Sequence, residues 1–315
     1  FSCSPTGRTF CVLITFMKVG VKALLLGIPF LVLYFIIRSL PVEPCDFLHE
    51  ETYNAEGELD YCGADETGFV DLSVRKWPMK VEFRPLDLLK VGQECKFEVK
   101  IEQADGSPLC SKDVALSHTK KIHLLAVNES LNDYHHIHPT ADSLFDGVWH
   151  FSLTPELSGK YSVFFDFIPL KSPRRVLLSS SFSVTGKTPS PMSVDESLSY
   201  KFQNLEFELV KVANDSDPKE FNLTLRGLNE NGDSAVFHPV MGAFAHMVAF
   251  DKTANGFAHL HPLGDERPLL ESETFTGDLT FGFTAPSIGT YRLWAQVKTS
   301  PEDEILIPFD LTVGS

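Results

Sequence analysis

The chain has 315 residues, of which 43% are hydrophobic and 22% charged, and its formal net charge is −15. Those fractions describe a folded chain, long enough for two ordinary domains plus a tail. The acidic balance argues against nucleic-acid binding, which needs clustered basic residues, and suits an extracytoplasmic protein that attracts cations.

In chain order, the first feature is the uncharged apolar run from Ala23 to Ile37, bounded by Lys22 and Arg38. Arg8, Lys18 and Lys22 lie on its N-terminal side, and Glu43, Asp46, Glu50 and Glu51 follow it. The positive-inside rule then places the N-terminus in the cytoplasm and the remainder outside. A spanning helix usually needs about 20 apolar residues, although flanking Lys and Arg side chains can snorkel. No A-x-A-like cleavage site follows, so the run reads as a single-pass signal anchor in a cell membrane, with a cleaved signal peptide as the alternative. Residues 1–40 are the cytoplasmic segment and anchor on this reading, and residues 41–69 a stalk.

Four cysteines (Cys45, Cys62, Cys95 and Cys110) fall outside the membrane, in the periplasm or an equivalent oxidising space. Disulfides are the default there, and proximity along the chain favours Cys45–Cys62 and Cys95–Cys110.

Beyond residue 70, short alternating strands punctuated by turns predict an all-β chain of two tandem immunoglobulin-like or cupredoxin-like sandwiches. The first covers 70–184 and the second 198–315. A Pro/Ser/Thr-rich linker, 185–197, separates them and predicts independent folding. The halves are copies. FEVKIEQADGSP (97–108) matches FNLTLRGLNENGDS (221–234), and FSLTPELSGKYSVFFDF (151–167) matches FGFTAPSIGTYRLWAQV (281–297) at an offset of 130.

The strongest element of the repeat is chemical. His123, His136 and His138 recur as His246, His259 and His261, each displaced by 123, in the pattern H-x12-H-x-H-P. Pairing Val127 with Tyr134 puts Leu125 opposite His136 and His123 opposite His138. Pairing Phe250 with Phe257 does the same for the second copy. Side chains alternate with period two, so each triad shares one hairpin face, while Leu124, Ala126 and Ile137, or Met247, Ala249 and Leu260, form the other. Three convergent imidazoles can hold a transition metal, copper first by the Irving–Williams order and zinc next. The same offset aligns His118 with Met241 as candidate fourth ligands, a thioether shifting preference towards Cu(I). The competing reading is structural, with imidazoles capping the hairpin ends by hydrogen bonding.

The H-[LM]-x-A…H-x-H-P hairpin followed by G-x-Y resembles a module of uncharacterised bacterial secreted or membrane-anchored proteins. Fold and compartment also resemble those of periplasmic copper-handling β-sandwiches. Neither half has the Cys-containing ligand loop of a blue-copper site, which argues against an electron-transfer centre.

Three functions are consistent with these features. The first is a membrane-anchored metal-binding protein with one site per domain, bound to the membrane through its N-terminal helix and handing metal to a protein partner. The second is a structural or interaction module of tandem sandwiches. The third is a metalloenzyme using three histidines and a water. HExxH, GxSxG, Walker A, GxGxxG and CxxC patterns are all missing from the sequence, and no general base accompanies the triads, which weighs against catalysis.

Overall fold

The computed structural model describes residues 27–40, 60–61, 68–74, 76–172, 174–187, 194–214, 217–264 and 268–314. Residues 27–39 form a helix with an apolar surface. At 1.5 Å per residue it reaches about 20 Å, short of the roughly 30 Å of a bilayer core. No helix among the described residues is long and apolar enough to cross a membrane. Most of the expected anchor's N-terminal half lies outside those residues.

The described residues that follow are built mainly of β-strands, as the alternating sequence requires, with one short 3-10 turn at Ser111–Asp113. In the first sandwich one sheet has the strand order Val176–Val184, Gly159–Phe167, Ile122–Asn128, Tyr134–Ile137. The facing sheet runs Lys80–Pro85, Cys95–Glu102, Val148–Leu153, Thr140–Ala141. Between them lies a core of Phe97, Val99, Leu124, Ala126, Trp149, Val163 and Phe165. Cys95–Glu102 alternates buried and exposed residues, so only one of its faces meets this core.

The second sandwich repeats the plan. Gly256–Leu260, Ala245–Asp251, Gly289–Lys298 and Glu304–Val313 form one sheet. Ser199–Phe202, Leu205–Ala213, Glu220–Asn229 and Leu279–Thr284 form the other. The two Gly-x-Tyr motifs mark equivalent corners. Tyr161 Oη lies 2.8 Å from the Leu157 carbonyl oxygen and also bonds the Asp133 carboxylate, and Tyr291 donates to the Ser287 carbonyl at 2.7 Å. These are tyrosine corners of the kind found in immunoglobulin-like sandwiches.

Both hairpins have the register expected from sequence: Leu125 faces His136 and Val127 faces Tyr134, while Val248 faces His259 and Phe250 faces Phe257. Every residue of Ile122–Asn128 is nevertheless buried, on both faces. The reason is a third core between the sandwiches. Leu125, Val127, Tyr134 and Phe164 of the first copy pack on Val248, Phe250, Phe257 and Trp294 of the second. The Tyr134 and Trp294 rings stack with centroids 5.7 Å apart, and Phe164 meets Phe257 at 5.1 Å. Each such side chain contributes about 1.5–3 kcal/mol by leaving water. The expectation that the linker leaves two independent sandwiches is therefore corrected.

The chain also stitches the halves together before the first sandwich begins. Val70–Asp71 adds to the edge of the second copy's sheet by pairing with Phe257 and Gly256. Gly256 is required there, since a Cβ on it would lie 2.0 Å from the Val70 carbonyl oxygen. Residues near 70, expected to open the first sandwich, thus belong to the sheet of the second.

The Cys95–Cys110 disulfide does not form; both thiols are free and buried. Cys95 opens the strand that ends at Glu102, and Leu109 N–H bonds back to the Ile101 carbonyl. Cys110 is thus opposite the far end of that strand, roughly 17–20 Å from Cys95 at about 3.4 Å per residue, against the 4.4–6.8 Å Cα separation that a disulfide needs. Cys45 and Cys62 lie outside the described residues.

Candidate metal centre

The histidine face of each hairpin is the face that docks on the other copy. The triads therefore meet in a single cluster. Within copies, ring centroids stand 4.9 Å apart for His123–His138, 5.0 Å for His136–His138, 4.8 Å for His246–His261 and 4.7 Å for His259–His261. Between copies they are only slightly farther apart: 5.3 Å for His136–His259, 5.5 Å for His123–His259 and 5.8 Å for His136–His246. The cluster is pseudo-symmetric, as an internal repeat docked on itself should be.

His118 joins it from a tight turn. Ser117 and Lys120 exchange both backbone hydrogen bonds, and the residues between them, His118 and Thr119, have φ of 47° and 68°. Positive φ at both central residues defines the type I′ turn, which normally selects Asn-Gly. A histidine held in this costly conformation suggests a functional role. The equivalent turn carries Met241 (φ 50°) and Gly242 (φ 77°) between Val240 and Ala243. The two turns abut, since a Cβ on Gly242 would sit 3.1 Å from Thr119 Cγ2. The His118–Met241 alignment is thus matched in backbone geometry.

Two sets of imidazoles have ligand atoms that all lie within 4.8 Å of one another: His118, His246 and His261, and His123, His136 and His259. Both sets mix the two copies. The expectation of one site per domain is corrected on this point. His118 stacks on His261 at 3.7 Å, whereas its ring is 6.5 Å from His123 in its own hairpin. His138 belongs to neither set, though its ring stands beside His123 and His136 of the second. Met241 is half-buried at its own turn.

Hydrogen bonds fix the tautomers of the second set. His123 Nε2 is 2.8 Å from the Ser117 carbonyl oxygen, which only accepts, so Nε2 carries the proton and Nδ1 the lone pair. His136 Nδ1 is 2.7 Å from Gln296 Oε1, and the amide cannot flip because Gln296 Nε2 donates to Glu304 Oε1 at 2.5 Å. His136 Nδ1 therefore carries its proton, leaving Nε2 bare. The two bare nitrogens, His123 Nδ1 and His136 Nε2, face each other at 3.0 Å. Two lone pairs at that distance repel unless a cation lies between them, and about 3 Å is the spacing of two nitrogens on one metal with bonds near 2.0–2.1 Å. His259 approaches Asp166 Oδ2 through Nδ1 at 3.5 Å, and its Nε2 is buried with no hydrogen-bond partner.

The orienting groups are themselves a repeat. Asp166 and Gln296 differ by 130, the offset of their motif, and sit opposite His123 and His246 in the ladders. Each reaches across the interface to the central histidine of the other copy. Hydrogen bonding the second ring nitrogen is how metal-ligating histidines are usually held. Burial alone would raise the Asp166 carboxyl, but the Arg175 guanidinium, bound through Nε at 2.8 Å and Nη2 at 2.5 Å, outweighs it and holds the group well below the usual carboxylate range.

Burial also favours the neutral form of five of these imidazoles. It pulls His123 down to about 4, with His259 adding repulsion, and His138 to about 2. His136, His246 and His261 are pushed well below the ordinary value by burial first and neighbouring imidazoles second. Both ring nitrogens of His246 and of His261 are buried without a hydrogen-bond partner. Such orphaned atoms cost about 1–3 kcal/mol each and call for an explanation. Buried, convergent imidazoles form a donor set suited to a transition metal.

Sequence reasoning found the histidines and their faces but missed Asp166, Arg175, Gln296 and Glu304. The available signal was the buried-type Asp in SVFFDF and Gln in LWAQV, each a lone polar residue ending an apolar run.

Comparisons place the duplication in a family. Domain of unknown function DUF8832 matches residues 77–179 and again 201–315. No curated protein matches the sequence. Among solved structures, MtrC from Shewanella baltica OS185 is similar at 7% identity, covering 73% of this chain and 68% of its own, with a TM-score of 0.22. The fibronectin(III)-like modules of Clostridium thermocellum CbhA give 9%, 74% and 94%, with 0.19. Invasin, a bacterial integrin-binding protein, gives 11%, 73% and 39%, with 0.23. At these TM-scores the likenesses carry no functional argument, and the resemblance to copper-handling proteins finds no support in them.

Proposed function

The chain belongs to the DUF8832 family, carrying its domain twice, and from that premise we propose that the pair of all-β modules is a metal-binding unit whose centre lies between them. The observation that carries this reading is the 3.0 Å approach of two bare imidazole nitrogens, His123 Nδ1 and His136 Nε2, with their remaining nitrogens engaged as donors. The ligands are His123, His136 and His259 for one ion, and His118, His246 and His261 for another. An all-nitrogen donor set takes Cu(II) most strongly and Zn(II) next. Binding, buffering or delivery to a protein partner follows, from a membrane-anchored position outside the cytoplasm. Among the described residues the one carboxylate on the cluster's cavity, Asp166, is already paired with Arg175, so a catalytic role has less support.

A second reading has its own observation. His136 and Gln296 hydrogen-bond across the sandwich interface at 2.7 Å, so the cluster can serve as polar cement in a non-enzymatic tandem module. Metal content of the full chain, purified without a His tag, separates the two. Two ions per chain support the metal reading. Nothing bound more tightly than about 10 μM, roughly 7 kcal/mol, leaves the interaction module.

A further inference from the structure

We propose that His138 is the exchange ligand of the second set: an arriving ion is held first by His123, His136 and His138, passes to His259, and leaves by the reverse route. This rests on the metal reading above. Its first support is a shared pair of ligands. His123 and His136, whose bare nitrogens stand 3.0 Å apart, have two further imidazoles beside them. The His138 centroid lies 4.9 and 5.0 Å from theirs, and the His259 centroid 5.5 and 5.3 Å. Two imidazoles on one ion, with bonds near 2.0–2.1 Å, have centroids about 5 Å apart. Either neighbour thus has the spacing of a third ligand. His259 is the one that completes the group of ligand atoms within 4.8 Å.

The second support is the contrast between these two neighbours. His259 is 2% exposed, whereas His138 is half-buried and so stands nearer to solvent. Its Nε2 is nevertheless buried without a hydrogen-bond partner, an orphaned atom that a ligand's role explains. Asp166 approaches His259 Nδ1 at 3.5 Å, and orienting groups of that kind strengthen metal binding. Nothing equivalent meets His138 Nε2 among the described residues, and the Lys120 ammonium opposes positive charge there. The ion therefore rests on His259 and only passes over His138. Exchange also keeps the ion coordinated throughout, where a bare ion crossing into so buried a site would be costly. The bond to His138 Nε2 breaks as that to His259 Nε2 forms. Imidazole binds metal in its neutral form, so no proton moves.

The test uses the full chain in detergent micelles, with zinc sulfate as the probe. His246→Ala with His261→Ala serves as the background, so that the second set alone holds an ion. Stopped-flow mixing with a fluorescent zinc indicator gives the rates of loading and release, and competition with a chelator gives Kd. Adding His138→Gln should slow both rates alike by about tenfold and leave Kd unchanged, because a residue on the path alone changes the barrier from either side equally. Thermal melts of the metal-free proteins check that the substitution leaves the fold intact, and His138→Asn repeats the test if it does not. A weakened Kd would make His138 a resting ligand, and unchanged rates a bystander; either result overturns the exchange role while leaving metal binding intact. No zinc bound in the background would remove the metal reading itself.

Discussion

Gln296 Oε1 lies 2.7 Å from His136 Nδ1, and the two residues belong to different copies of the repeat. The bond leaves His136 Nε2 bare, and the equivalent Asp166 approaches His259 Nδ1 at 3.5 Å. Gln296→Leu should therefore weaken metal binding by about 10–100-fold, the usual effect of losing such an orienting group, without removing a ligand. Competition titration against a chelator of known affinity measures it. An unchanged affinity would show that Gln296 serves only the interface.

Stability should depend on pH through the cluster. Burial holds His123 at about 4 in the folded protein against an ordinary 6.5, so the unfolded chain binds the extra proton between those values. Stability from this histidine is thus fully present above pH 6.5 and lost as pH falls towards 4. His136, His246 and His261 act in the same direction. Each contributes a slope of up to about 1.4 kcal/mol per pH unit in its window. Thermal melts of metal-free protein from pH 8 to pH 4.5 should show a falling Tm below 6.5. A flat profile would mean that the histidines are hydrated in solution.

Hairpin register and the choice of histidines were legible in the sequence because both are local. The period of two and the H-x12-H-x-H spacing decide them without reference to distant parts of the chain. Docking of one hairpin on the other is a long-range event, but a signal for it existed: IHLLAVN and AHMVAF are apolar on both faces, which strands covered on one side only are not. Reading Leu125, Val127, Val248 and Phe250 as interface residues would have predicted the pooled cluster. Proximity along the chain misled the pairing of Cys95 and Cys110 because a whole strand and a turn lie between them.

The third core makes unfolding of the sandwiches cooperative. Phe250→Ala should cost about 3–5 kcal/mol and lower a single thermal transition. Calorimetry resolving two transitions in the unsubstituted protein, with only one shifted by the substitution, would mean that the interface contributes little.

Free thiols at Cys95 and Cys110 predict that peptide mapping under non-reducing conditions, after denaturation and alkylation, recovers both as alkylated peptides. A cross-linked pair of those peptides would contradict the strand geometry.

The central claim is that the two triads are pooled crosswise, and the double substitution His259→Ala with His261→Ala tests it most directly. Both residues come from one hairpin, yet each belongs to a different set. Metal stoichiometry, measured with a competing chelator on the full chain, should fall from two ions to none at the original affinity. His246→Ala with His261→Ala, confined to one set, should cost one ion and leave the other. If His259→Ala with His261→Ala still holds one ion as tightly as the unsubstituted protein does, each hairpin has its own site and the crosswise centre is wrong.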